Sequence, residues 1–131
     1  MANILLVDDQ PYMGEFLAEE MAEAGHSLKW VGSDDELLLE LEETTPDLIL
    51  LDLYMNGLEG WSLLSQIRRR KEHIPVVILT THDFFSKDPR SALADGYVIK
   101  DFFTNELKRK IDEVLGLKSL AGATGNPCFL T

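Results

Sequence analysis

Four polar sets in this 131-residue chain carry groups suited to holding a cation and a phosphoryl group, and each directly follows a short apolar run. Asp8 and Asp9 follow Ile4 to Val7 (ILLV), Asp52 follows Leu48 to Leu51 (LILL), Thr80 and Thr81 follow Val76 to Leu79 (VVIL), and Lys100 follows Tyr97 to Ile99 (YVI). Carboxylates brought together repel one another and so favour a bound cation. Mg²⁺ is the natural candidate, because it is held by few carboxylates and keeps waters that a phosphate ligand can replace. With the metal and Lys100 neutralising phosphoryl oxygens, one carboxylate can act as nucleophile and form an acyl phosphate. Asp52 is central, and the Thr80 hydroxyl can hydrogen-bond the arriving group. Taken singly, each residue has a plainer reading: Asp as turn-former or helix cap, Lys100 as a solvated cation, the threonines as a strand end. Their succession along the chain, each at the end of an apolar run, points to one reaction.

The apolar runs define the elements that must position these groups. Continuous runs of this length suit strands buried on both faces, as in a parallel sheet covered by helices. Ser27 to Val31 (SLKWV) and the YVI run are weaker and suit outer strands. Between them, Pro11 opens a first helix in which Met13, Phe16, Leu17, Met21 and Ala24 recur at helical spacing, and Gly25 ends it. Ser33 with Glu36 forms a capping box for a second helix carrying Leu37, Leu38 and Leu41, closed by Pro46. A third, from about Gly60, turns Trp61, Leu64 and Ile67 inward and places Arg68 to Lys71 where cations oppose the helix dipole. The fourth is expected to be short or irregular, because few residues separate Asp88-Pro89 from Gly96. A fifth begins near Thr104, buries Leu107, Ile111, Val114 and Leu115, and stops at Gly116. This alternation predicts a doubly wound α/β domain over residues 1–116, with right-handed crossovers and residues 117–131 as a tail or linker stub. Ligands of such sheets bind beyond the carboxyl ends of the strands, where the polar sets lie.

Composition narrows the function classes. Twelve basic against 23 acidic residues give a net charge of −11 and a pI near 4.5, which repels nucleic-acid phosphates. The single cysteine, Cys128, forms no internal disulfide, and no Cys/His ligand spacing occurs, pointing to a reducing, cytoplasmic setting. No apolar run approaches a membrane span, and the start MANILLVDDQ lacks the basic flank of a signal peptide.

VDDQP at 7–11, LLDLYMNGLEG at 50–60, ILTT at 78–81 and YVIKDF at 97–102 resemble the signature blocks of response-regulator receiver domains. The resemblance covers about residues 3–116. It implies a flavodoxin-like (βα)5 fold with strand order 2-1-3-4-5, the order given for this family's chemotaxis member among doubly wound folds. It implies that Asp52 accepts a phosphoryl group from a sensor histidine kinase or phosphotransfer protein. Asp9 would ligate Mg²⁺ directly and Asp8 mostly through water. The Tyr54 backbone carbonyl would be a further ligand beside Asp52, and Lys100 would pair with the phosphoryl group or Asp52. Thr80 and Tyr97 would be the switch pair, signalling through the face of the fourth helix, fifth strand and fifth helix to a downstream protein target. Tyr54 and His82 occupy positions that in this family flank the phosphoryl group, and their bulk is expected to lengthen its lifetime. Such a domain assists its own phosphorylation and dephosphorylation without being a turnover enzyme.

Departures from the family pattern cluster near the output face. Asn56 and Asp101 replace the usual prolines, Thr81 takes a position that is normally very small, and the fourth helix is short. A cis bond before a non-proline residue costs about 3 kcal/mol, so Lys100–Asp101 is predicted trans. These departures motivate an alternative, a receiver-like interaction module that works without phosphorylation. A metal-dependent phosphohydrolase of similar fold would need an acid at position 54, which is Tyr. Flavin or nucleotide binding would need a phosphate-cradling loop where Asp8-Asp9-Gln10-Pro11 offers repulsion. Phe84, Phe85, Phe102 and Phe103 read either as an exposed aromatic surface or as cover for the core beneath the short helix.

Overall fold

The computed structural model of the chain describes residues 1–55, 58–71, 73–81, 87–100 and 103–122, with backbone alone at 54, 55, 58, 59 and 117–122. Five strands, β1 (Asn3–Val7), β2 (Ser27–Val31), β3 (Leu48–Leu51), β4 (Val76–Thr80) and β5 (Gly96–Ile99), form one sheet in the order β2-β1-β3-β4-β5. All its pairings are parallel. This is the flavodoxin-like order expected from the sequence. Helices α1 (Pro11–Glu23), α2 (Asp34–Glu43), α3 (Trp61–Arg70) and α4 (Asn105–Gly122) supply the cover.

The strand period of two divides the core between the faces. Leu5, Val7, Ile49, Leu51, Val76 and Ile78 point to the side packed by Leu37 and Leu41 of α2 and Leu64 and Ile67 of α3. Ile4, Leu6, Leu48, Leu50, Val77 and Leu79 point to the side packed by Leu17 and Met21 of α1 and Leu107 and Ile111 of α4. Every residue of β3 is fully buried, which explains why its sequence shows no alternation. The outer strands β2 and β5 are partly exposed, as their weaker runs predict.

The helix ends follow their local chemistry. The Ser33 hydroxyl accepts the Glu36 N–H at 3.2 Å as expected, and the Glu36 carboxylate reaches back one residue further than in the usual box, accepting the Gly32 N–H at 3.2 Å. Gly25 follows α1 at φ +89°, a conformation that other L-residues rarely adopt. The last helix departs from expectation. It continues through Gly116 to Gly122, because an interior glycine costs only about 1 kcal/mol relative to alanine and does not by itself end a helix. A two-strand hairpin pairing Tyr54 with Glu59 and Met55 with Leu58 was not anticipated.

Between β4 and β5 the described residues hold a five-residue 3-10 segment, Pro89–Leu93, which buries none of its residues. It is the short, irregular element predicted there. Asp88 caps it, accepting the Arg90 N–H at 2.9 Å. Two arginines tie it to α3. The Arg90 guanidinium lies 4.6 Å from the centroid of the Trp61 ring. Arg68 donates to the carbonyls of Leu93 at 2.7 Å and Ile74 at 2.6 Å and to the Asp95 carboxylate at 2.7 Å.

Candidate functional site

The sheet register places the acidic groups. Val7 pairs with Leu51 in the parallel β1–β3 ladder, so the next residues, Asp8 and Asp52, lie side by side. Backbone bonds continue just beyond the strand ends: Asp8 N–H donates to Val31 O at 3.2 Å and Asp52 N–H to Val7 O at 3.0 Å. On the other side, Thr80 pairs with Ile99, and Lys100 N–H donates to Thr80 O at 2.7 Å. The residues at strand ends are thus held by the sheet itself, not by the loops that follow.

Asp8 is fully buried, Asp52 is 4 % exposed, Thr80 is fully buried and Asp9 is half-buried. Carboxylate oxygens of Asp8, Asp9 and Asp52 lie within 4.8 Å of one another. Lys100 reaches between two of them, its Nζ 2.7 Å from Asp8 Oδ2 and 3.1 Å from Asp52 Oδ2. Burial alone pulls the Lys100 pKa down. Its contacts with Asp8 and Asp52 outweigh that, so the ammonium is held above its ordinary range. One ammonium against three crowded carboxylates leaves an excess of negative charge, and this oxygen-only donor set suits a hard divalent cation.

Asp8 is fixed on every side. Besides its backbone bond and Lys100, its Oδ1 accepts the Gln10 N–H at 2.9 Å, and its main-chain carbonyl accepts the Trp30 indole N–H at 2.6 Å. The expected pairing of Lys100 with the phosphoryl group or Asp52 is met at Asp52, whereas its shorter contact with Asp8 and the part played by Trp30 are not foreshadowed in the sequence.

The other expected site residues are placed unevenly. Tyr97 is half-buried and packs against the core between the sheet and α2 and α3. Thr81 is exposed directly after β4. The backbone of Tyr54 lies in the hairpin two residues past Asp52. Its side chain, together with Asn56, His82, Phe84, Phe85, Phe102 and the Lys100–Asp101 peptide, lies outside the described residues. Phe103 is 77 % exposed. Among the described residues no helix is long and apolar enough to cross a membrane.

Comparison with known proteins agrees with this geometry. The response regulator receiver domain family matches residues 4–112. The transcriptional activator protein IrlR of Burkholderia pseudomallei is 34 % identical over 115 residues, covering 86 % of this chain and 50 % of that protein. The transcriptional regulatory protein BaeR of Escherichia coli is 32 % identical over 116 residues, covering 86 % and 48 %. The chain therefore spans about half the length of the curated relatives it matches. Among solved structures, the response regulator TrrA of Thermotoga maritima in complex with Mg²⁺-BeF has a TM-score of 0.81 at 34 % identity, covering 87 % of this chain and 99 % of that one. A chain from the complex of histidine kinase ThkA with TrrA has a TM-score of 0.81 at 35 % identity, covering 88 % and 99 %. A doubly wound sheet with an acidic cluster and a lysine at its carboxyl edge, together with these matches, defines a two-component signalling module. The chain belongs to the response regulator receiver domain family.

Proposed function

We propose that this domain accepts a phosphoryl group on Asp52 from a sensor histidine kinase or phosphotransfer protein. The observation that carries the reading is the cluster of Asp8, Asp9 and Asp52 within 4.8 Å, bridged by Lys100. An Asp52 carboxylate oxygen attacks phosphorus, the phosphorus–nitrogen bond to the donor histidine breaks, and the departing imidazole nitrogen recovers its electron pair and is protonated. Asp9 would ligate Mg²⁺ directly and Asp8 mostly through water, with Asp52 and the Tyr54 carbonyl as the remaining protein ligands. When bound, the ion neutralises the carboxylates and the phosphoryl oxygens. Lys100 holds a phosphoryl oxygen, and Thr80 turns its hydroxyl toward the group as Tyr97 turns inward. Tyr54 and His82 shield the acyl phosphate from water. The complex of TrrA with Mg²⁺-BeF and the ThkA–TrrA complex support the metal and the kinase as partners.

The domain acts as a stoichiometric acceptor, not a turnover enzyme. Its receiver unit spans residues 1–116, with 117–131 as a tail or linker whose first residues extend the last helix to Gly122. Its readout passes through the face of the 3-10 segment, β5 and α4 to a downstream protein, in the cytoplasm and without direct contact to nucleic acid. The net charge of −11 favours a protein target.

The test is intact mass after incubation with Mg²⁺ and a small-molecule phosphodonor, beside an Asp52→Ala control. A gain of one phosphoryl group, lost in the control and on chelating Mg²⁺, supports the reading. No gain, where an ordinary receiver is modified, supports the phosphorylation-independent module, for which the short 3-10 segment among the described residues between β4 and β5 is the structural motive.

A further inference from the structure

We propose that Trp30 is a positioning residue for the cation-binding carboxylates, acting on Asp9 through the peptide that joins it to Asp8. This inference rests on reading the acidic cluster as a divalent-cation site. Trp30 pairs with Leu6 in the β1–β2 ladder. From there its indole reaches forward along the sheet edge and donates to the Asp8 carbonyl at 2.6 Å. The strand ladder does not supply this donor, since β2 ends at Val31 and the chain turns into the Ser33 cap of α2. The oxygen it holds belongs to the Asp8–Asp9 peptide. That unit is planar, so holding its oxygen helps hold the Asp9 nitrogen and Cα, the points from which the Asp9 side chain is hung, and leaves the Asp9 φ and χ angles to complete its aim. Asp8 is itself anchored by Gln10, Lys100 and Val31, and the indole bond adds a hold on the peptide from which the half-buried Asp9 departs.

The fold makes room for the indole at two glycines. A Cβ at Gly14 of α1 would lie 2.7 Å from Trp30 Cγ and 2.9 Å from Cδ2. A Cβ at Gly32 would lie 3.3 Å from its Cζ2. Gly14 occupies a buried helix interior, where alanine is the better helix former, so the glycine gives up helix stability in exchange for the ring's place.

The test is calorimetric titration of the intact chain with Mg²⁺ for wild type, Trp30→Phe, Gly14→Ala and Asp9→Asn. Phosphorylation rates from a small-molecule donor are measured across Mg²⁺ concentrations in the same variants. Trp30→Phe keeps most of the ring and removes the N–H. Gly14→Ala leaves Trp30 in the sequence but forces its indole off the carbonyl, while favouring the helix. Both are expected to weaken Mg²⁺ binding about tenfold, the lower end of what outer partners of metal ligands carry. Both should raise the Mg²⁺ concentration for half-maximal rate while the rate at saturation stays near wild type. A merely structural role would lower stability and leave the metal affinity alone. Unchanged affinity in both variants, with wild type binding and Asp9→Asn not, overturns the role of Trp30 and leaves the site standing. Absence of binding by wild type overturns the cation site, and the role of Trp30 with it.

Discussion

The carboxyl edge of the sheet and the span between β4 and β5 are held by different physics. At the edge, Asp8, Asp52 and Thr80 are buried, carried on strands whose every neighbour is fixed by register. Across the span, the 3-10 segment buries nothing; Asp88 caps it, its own Arg90 reaches out to Trp61, and Arg68 of α3 ties it down from outside. Chemistry here is built into the core, whereas the neighbouring surface is attached by polar contacts that solvent weakens. The two regions should therefore answer perturbation on different scales.

The largest effect is expected at the edge. Lys100→Met leaves two buried carboxylates facing each other without their cation and should destabilise the Mg²⁺-free protein by about 3 kcal/mol in urea unfolding. Adding Mg²⁺ should recover part of that loss. Because the folded pKa of Lys100 is raised, its contribution is complete below about pH 10.5 and is lost as pH climbs through the folded value. Stability should then fall at high pH in wild type but not from this source in the variant, a difference that unfolding midpoints at alkaline pH will show.

Arg68→Ala tests whether the span is tied as described. It removes three charge-assisted hydrogen bonds from a side chain 17 % exposed, and a loss of about 2 kcal/mol is expected. Amide exchange should accelerate at Leu93 to Val76's partner Asp95 more than in β1 or β3. Arg90→Ala, which deletes an exposed stacking contact, should cost less than about 1 kcal/mol by the same unfolding assay. The smallest effect concerns acid. Hydrogen bonds from the Arg90 side chain and backbone hold the Asp88 carboxyl down at about 2. Its contribution is therefore present above its ordinary pKa near 3.8 and fades as pH falls toward 2. The stability difference between wild type and Asp88→Asn should shrink over that window; a difference that does not change with pH would show that the cap works by shape alone.

The same contrast decides what could be read from sequence. The runs ending at Val7, Leu51 and Leu79 announce buried parallel strands, and a polar residue after each can only sit at the carboxyl edge. Asp8, Asp9, Asp52 and Thr80 follow from that without knowledge of any loop, and Lys100 follows from the weaker run ending at Ile99. Arg68 was legible only as a cation near a helix end, because its three acceptors come from residues 6 to 27 positions away in the chain. Trp30 escaped for a related reason: an indole N–H aimed at a backbone carbonyl has no sequence partner to pair it with. The continuation of α4 past Gly116 shows the weakness of a single glycine as a stop signal.

Placing the reactive groups one step past paired strand ends has an architectural corollary. Side chains of a strand alternate between faces, so inserting or deleting one residue within β1, β3 or β5 would turn Asp8, Asp52 or Lys100 toward the wrong layer. Loops elsewhere in the chain can grow or shrink without touching that parity. Lineages descended from such a domain are thus free to edit almost any connection, yet must keep the spacing of their strands in frame, as a coding sequence keeps its codons.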